Sequence, residues 1–298
     1  MKASILLVCM ATLASIQGCN SQVDTSALQA QINEIVATQP DAIVAVSVRD
    51  GASGVNFDRN GDRLFHAAST MKVPVMMEVF RRASRGDFSL GDSLVLRNQF
   101  RSIVDGSLYA IGDDSDDAIY LKLGSKMEIR QLVENMIVVS SNLATNILID
   151  LVSADSVQAT SERIGTTKMR TLRGVEDLKA FELGLSNRTT SADLAVLMSA
   201  LAEGRAVGPS EDAAMIEVLA RQQFGEMIPA GLPPDTRVAH KTGQITEIHH
   251  DAAIIFPDRG APFTLVILVE GIPDDAISSS IGSRITRAVY EFVRPASP

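Results

Sequence analysis

Three short segments carry residue types that can do acyl-transfer chemistry: Ser69-Thr70-Met71-Lys72, Ser140-Ser141-Asn142 and Lys241-Thr242-Gly243. A serine hydroxyl is a poor nucleophile until a neighbouring base takes its proton. Lys72, three residues after Ser69 and on the same helical face, can be that base if burial or a second cation lowers its pKa. Lys241 is the natural second cation. Alone, Ser69 would read as a helix cap with a solvated lysine nearby. However, Val73-Pro74-Val75-Met76-Met77 is wholly apolar, which predicts a buried helix and a buried Lys72 with it. Ser140 can relay a proton to a leaving nitrogen, and Asn142 can bond a substrate amide and orient Lys72. Lys241 and Thr242 suit a carboxylate, and Gly243 leaves room for a substrate backbone. Separately, the second segment is a capping cluster and the third a strand end. Together, in this order, they argue for a site.

The elements that must position these residues follow from hydrophobic periodicity. Ser26–Ala37 carries Leu28, Ile32, Ile35 and Val36 at helical spacing, and Ala42–Arg49 reads as a strand that turns at Asp50-Gly51 into Val55-Asn56-Phe57. A helix is predicted from Ser69 or just after, since Pro74 is tolerated in a first turn. Residues 89–124 read as loops with short elements. Further helices are expected at Ile129–Asn135, Asn142–Leu151, Ser191–Glu203, Ser210–Arg221 and Asp274–Val293, and strands at Arg237–Thr242, Asp251–Phe256 and Phe263–Val269. Strands at both ends with a helical block between predict an α/β chain of the α+β sandwich type. Its antiparallel sheet would come from residues 25–68 and 236–298 with flanking helices, and an all-helical insertion from residues 69–235. Residues 25–298 would then form one catalytic unit.

The chain has 298 residues, 46% hydrophobic and 21% charged, enough for a large core. A net charge of -9 with no Lys/Arg run argues against a nucleic-acid partner. No metal or cofactor is expected. His249 and His250 would point to opposite faces of a strand without further ligands, as surface or hydrogen-bonded side chains. Asp113-Asp114-Ser115-Asp116-Asp117 lacks calcium-loop spacing and reads as a solvated loop. His66 and His240 flank the strongest motifs. Met1-Lys2 and the apolar run from Ile5 to Ile16 read as a leader ending at Cys19, followed by a polar tether over residues 20–24. Both cysteines, Cys9 and Cys19, fall in that leader, so the mature body has no thiol.

The three motifs resemble those of the class A β-lactamase family, penicillin-recognising serine hydrolases marked by S-x-x-K, S-D-N and K-T-G. The resemblance implies Ser69 as acylated nucleophile, Lys72 as base or proton shuttle, and Ser140 as relay. Asn142, Lys241, Thr242 and Gly243 would contact substrate, with the backbone N–H groups of Ser69 and Gln244 as the oxyanion hole. Ser141 departs from the acidic centre of S-D-N. The loop from Arg173 to Thr190 lacks the family's glutamate followed by Leu-Asn, which leaves Glu176 as the preferred deacylation base and Glu182 in reserve. Asp177 can instead pair with Arg173 or Arg188. Ile16-Gln17-Gly18-Cys19 resembles a lipobox, implying an exported, periplasmic protein with a lipid anchor at Cys19; simple secretory cleavage is the alternative. A monomer is expected. The expected activity is β-lactam hydrolysis. A penicillin-binding or sensor protein that stays acylated, or an esterase or peptidase of the same fold, is the rival.

Overall fold

The computed structural model describes residues 23–294, so the leader, Cys19 and most of the tether lie outside the described residues. The chain opens with α1 (Ser26–Val36), β1 (Ile43–Asp50), β2 (Val55–Arg59) and β3 (Phe65–His66). A 3-10 turn over Ala68–Met71 leads into α2 (Lys72–Ser84). Next come β4 (Ser93–Val95), β5 (Phe100–Arg101), β6 (Leu108–Tyr109), α3 (Asp117–Tyr120) and β7 (Lys126–Glu128). The helices α4 (Ile129–Val138), α5 (Asn142–Val152), α6 (Ala154–Ile164) and α7 (Leu178–Glu182) follow. After β8 (Arg188–Thr189) come α8 (Ser191–Ala202), α9 (Pro209–Leu219), β9 (Arg237–Ile245), β10 (Ile248–Phe256), β11 (Phe263–Glu270) and α10 (Asp275–Val293).

Five strands form one antiparallel sheet in the order β2-β1-β11-β10-β9, so both chain ends build it. Period-two alternation assigns its two faces. Val44, Val46 and Val48 of β1 and Leu265, Ile267 and Val269 of β11 pack with Leu28 and Ile32 of α1 and Ile281, Ile285 and Val289 of α10. Ala45, Val266 and Leu268 face the other way, against Leu194, Leu197, Met198 and Leu201 of α8 and the helical core beyond. Each such buried aliphatic side chain contributes about 1.5–3 kcal/mol. Because both faces are covered, β1 and β11 read as runs of buried residues rather than alternating ones.

Two sequence expectations are corrected. The strands expected to stop at Thr242 and restart at Asp251 instead continue to Ile245 and from Ile248, joined by a two-residue turn at Thr246-Glu247 with Glu247 at φ 58. That turn lacks the Asn-Gly type of signal, and Gly243 and the paired histidines break the apolar pattern. Partnering on β10 sustains β9 regardless. The second is α6, absent from the expectation and capped by Ser153, whose side chain accepts from Ser156 N. As an outcome, β9 is an edge strand, and it lies against the turn Ala68–Met71 that carries Ser69.

Candidate active site

Ser69 lies in the 3-10 turn and Lys72 is the first residue of α2, so the expected single helix starts with a tighter turn. Ala68 takes φ 44, and its N–H donates to His66 Nδ1 at 3.0 Å. The turn is pressed against β9. A Cβ added at Gly243 would lie 3.1 Å from the backbone nitrogens of Ser69 and Thr70 and 3.0 Å from Thr70 Cγ2. Gly243 therefore makes room for the nucleophile's own backbone, where the sequence suggested room for substrate.

Lys72 and Lys241 are both completely buried, and the hydroxyl of Ser140 bridges them. Lys72 Nζ donates to Ser140 Oγ at 3.1 Å, Ser140 O at 2.6 Å and Asn142 Oδ1 at 2.9 Å. Lys241 Nζ donates to Ser140 Oγ at 3.0 Å and Thr242 O at 2.9 Å. Burial lowers the Lys72 pKa to about 7, partly offset by the charges of Asp114 and Glu176. Lys241 is pushed well below its ordinary value, by burial first and by the charge of Lys72 second, with Asp251 opposing. The expected repulsion between the lysines thus falls on Lys241, while Lys72 is depressed mainly by desolvation. A lysine near pKa 7 is a competent base at neutral pH. Ser140 itself sits at φ 60, a left-handed strain of the kind concentrated at functional sites.

Glu176, also left-handed at φ 58, turns its carboxylate towards the site. Oε1 accepts from Asn142 Nδ2 at 3.0 Å and Oε2 from Gly112 N at 3.0 Å. Glu176 therefore stands behind Asn142 and is not part of the groove wall. Asn146 clamps the same loop, accepting from Val175 N at 2.7 Å and donating to Val175 O at 3.0 Å. Gly174 permits this approach, since a Cβ there would meet Asn146 Oδ1 at 2.4 Å. Two loop expectations change. Glu182 is exposed at the end of α7, outside the groove wall. Asp177 is buried and accepts from Ser102 Oγ, Ile103 N and Ala180 N, rather than pairing with Arg173 or Arg188.

The acidic loop is not simply solvated. Asp114 accepts from the backbone of Asn142 and Leu143, each at 2.8 Å, and from Tyr120 Oη at 2.9 Å. It places a carboxylate at the N-terminus of α5, where Ser141 supplies the side-chain cap to Ala144 N. Asp114 thus supplies from outside the motif the acidity that Ser141 lacks. Asp116 is buried and accepts from Asn135 Nδ2 at 2.7 Å. Nothing in the run distinguishes Asp114 by sequence; only the fold brings it to α5. Asp114→Ala is expected to cost about 1–2 kcal/mol in urea denaturation, and an unchanged midpoint would remove this capping role.

The histidines do separate across the sheet. His250 is buried, donating from Nε2 to His66 O at 3.0 Å and accepting Val269 N at Nδ1, and burial lowers its pKa to about 4. His249 faces the opposite side and lines the groove, which corrects the expectation of a surface or hydrogen-bonded side chain.

The groove has a cavity volume of about 780 Å³ and is walled by Ser69, Ser140, Asn142, Thr242 and Gln244, with acidic residues around them. An edge strand and a serine-bearing turn meet at this groove, with two buried lysines behind it. A model of the β-lactamase enzyme family matches residues 27–293. A β-lactamase of Rhodobacter capsulatus is 26% identical over 263 residues, covering 87% of this chain and 86% of that protein. A β-lactamase from Sphaerobacter thermophilus superposes with a TM-score of 0.78 at 28% identity, over 92% of this chain and all of the other (100%). PBP-A superposes with a TM-score of 0.79 at 26% identity, over 90% of this chain and 96% of its own, and a mutant of PBP-A has been solved as an acyl-enzyme complex with penicillin G. The chain belongs to the β-lactamase enzyme family.

Proposed function

We propose that the protein is a class A-like serine β-lactamase that opens the β-lactam amide through an acyl-enzyme on Ser69. The observation that carries this reading is the Ser140 hydroxyl held between two buried lysines beside Ser69. Unprotonated Lys72 takes the Ser69 proton as Oγ attacks the carbonyl carbon, and the oxygen charge is met by the N–H groups of Ser69 and Gln244. The proton then passes through Ser140 to the ring nitrogen as the amide bond breaks. Thr242 and Lys241 hold the substrate carboxylate, and Asn142 holds its amide. Glu176 activates the water that releases the acyl group. The enzyme works outside the cytoplasm as a periplasmic monomer, exported by its leader and lipid-anchored at Cys19.

A second reading is favoured by one specific feature. Both Glu176 oxygens already accept hydrogen bonds, and the carboxylate stands behind Asn142 rather than in the groove. A protein acylated at Ser69 but slow to release the acyl group fits that arrangement, and likeness to PBP-A supports it. Chromogenic-cephalosporin turnover followed together with intact mass separates the two. Sustained turnover is the expected result, a persistent one-to-one adduct on Ser69 means the second reading, and the absence of both turnover and adduct sinks both. A lipid increment on Cys19 in the mass of the mature protein tests the anchor.

A further inference from the structure

One end of the groove is not used by the proposed reaction. Phe224, Glu226, His249 and Asp275 line it. On the paired strands, His249 faces Gln244 and Asp251 faces Thr242, so His249 shares a sheet face with Thr242. Asp251 Oδ2 accepts from Ile228 N at 3.1 Å, which holds the chain just after Glu226 next to Thr242. Asp275 opens α10 and accepts from Gln244 Nε2. Glu226 and Asp275 are exposed, and the Phe224 ring is 36% exposed. His249 is only 7% exposed, and its Nδ1 has no hydrogen-bond partner among the described residues. Asp113 and Asp114 add two more carboxylates to the groove, and among the described residues no lysine or arginine belongs to its wall.

We propose that this end of the groove takes a cationic substituent, so that the preferred substrates are zwitterionic β-lactams such as cephalosporins with a quaternary nitrogen on the C3 arm. The proposal rests on acylation at Ser69. In a cephalosporin the C3 arm is bonded next to the carbon that carries the carboxylate. With that carboxylate at Thr242 and Lys241, the arm extends towards the neighbours of Thr242 on the same sheet face. There a cation meets the aromatic ring of Phe224 and the charges of Glu226 and Asp275. The lysine that answers the substrate carboxylate, Lys241, is buried behind the wall, whereas the acidic side chains lie along it. A second negative charge on the substrate is therefore penalised and a positive one rewarded.

Cephaloridine and cephalothin make a matched pair, with the same nucleus and acyl group but pyridinium against acetoxy on the C3 arm. The measurement is the second-order rate constant for acylation of each, in the wild-type chain, Glu226→Gln and Asp275→Asn. Comparing the cephaloridine-to-cephalothin ratio between proteins cancels the intrinsic reactivity of the two compounds. The ratio is expected to fall about 3–10-fold in Glu226→Gln and to shrink as salt is raised, in keeping with a solvent-accessible charge pair. Adducts that form with the same ratio in all three proteins overturn the proposal and leave acylation at Ser69 standing. Absence of both turnover and adduct in the wild-type chain with either compound overturns both.

Discussion

Ser69→Ala, Lys72→Ala and the double variant are each expected to lower acylation by a similar factor, roughly 10⁴-fold, because residues that act as one unit are not additive. Removing the hydroxyl removes the nucleophile. Removing Lys72 leaves the hydroxyl without the amine three residues on, and the other amine of the pair, Lys241, is engaged with Ser140 and Thr242 O. The pH profile adds a sharper readout. Burial puts the Lys72 pKa at about 7, so the amine is protonated and inactive below that value and free to act above it. Deprotonation also frees a lone pair on a nitrogen whose three hydrogen bonds otherwise all run to Ser140 and Asn142. The acylation rate should therefore rise about tenfold per pH unit on the acid side and level off above about pH 7. An additive double variant, or a profile flat from pH 5 to 8, would count against Lys72 as the base.

The second large effect concerns release of the acyl group. Glu176→Gln is expected to leave acylation within about threefold of wild type and to slow deacylation roughly 10²–10⁴-fold, so that the Ser69 adduct accumulates. A glutamine can keep the bond from Asn142 Nδ2 or the one from Gly112 N, but not both without turning its amide group against a donor. The loop should then lose about 1 kcal/mol of local stability. Turnover that persists in Glu176→Gln would remove Glu176 from this role. Asp114 would then be the carboxylate to test next, since it lines the groove and raises the Lys72 pKa more than Glu176 does.

These predictions rest unequally on the sequence. The three motifs and their order are enough to single out Ser69, Lys72, Ser140, Asn142 and Lys241, because spacing along a helix or strand fixes which side chains can meet locally. The burial of Lys72 is also legible, from the apolar run Val73–Met77 that follows it. The antiparallel sheet from both termini and most helices follow from periodicity, with boundaries within a few residues. The β9–β10 turn does not, because Thr246-Glu247 carries no turn signature and the strand ends are held by pairing partners. The deacylation loop is the least legible part. Glu176 is one of several loop carboxylates, and only the left-handed backbone at that residue and the clamp from Asn146 set its direction.

What the sequence determined by itself was which groups are available for chemistry and in what order they arrive, since that depends on residue type and short-range spacing. The tertiary structure alone decided what surrounds them. It buried two lysines around one hydroxyl, brought Asp114 to the start of α5, and packed Gly243 against the nucleophile's turn. It also placed His249, Glu226 and Asp275 along one end of the groove. Those are contacts between segments far apart in the chain. Desolvation and charge act through space, so the pKa of Lys72 and the sign of the groove are set by neighbours that no local pattern records.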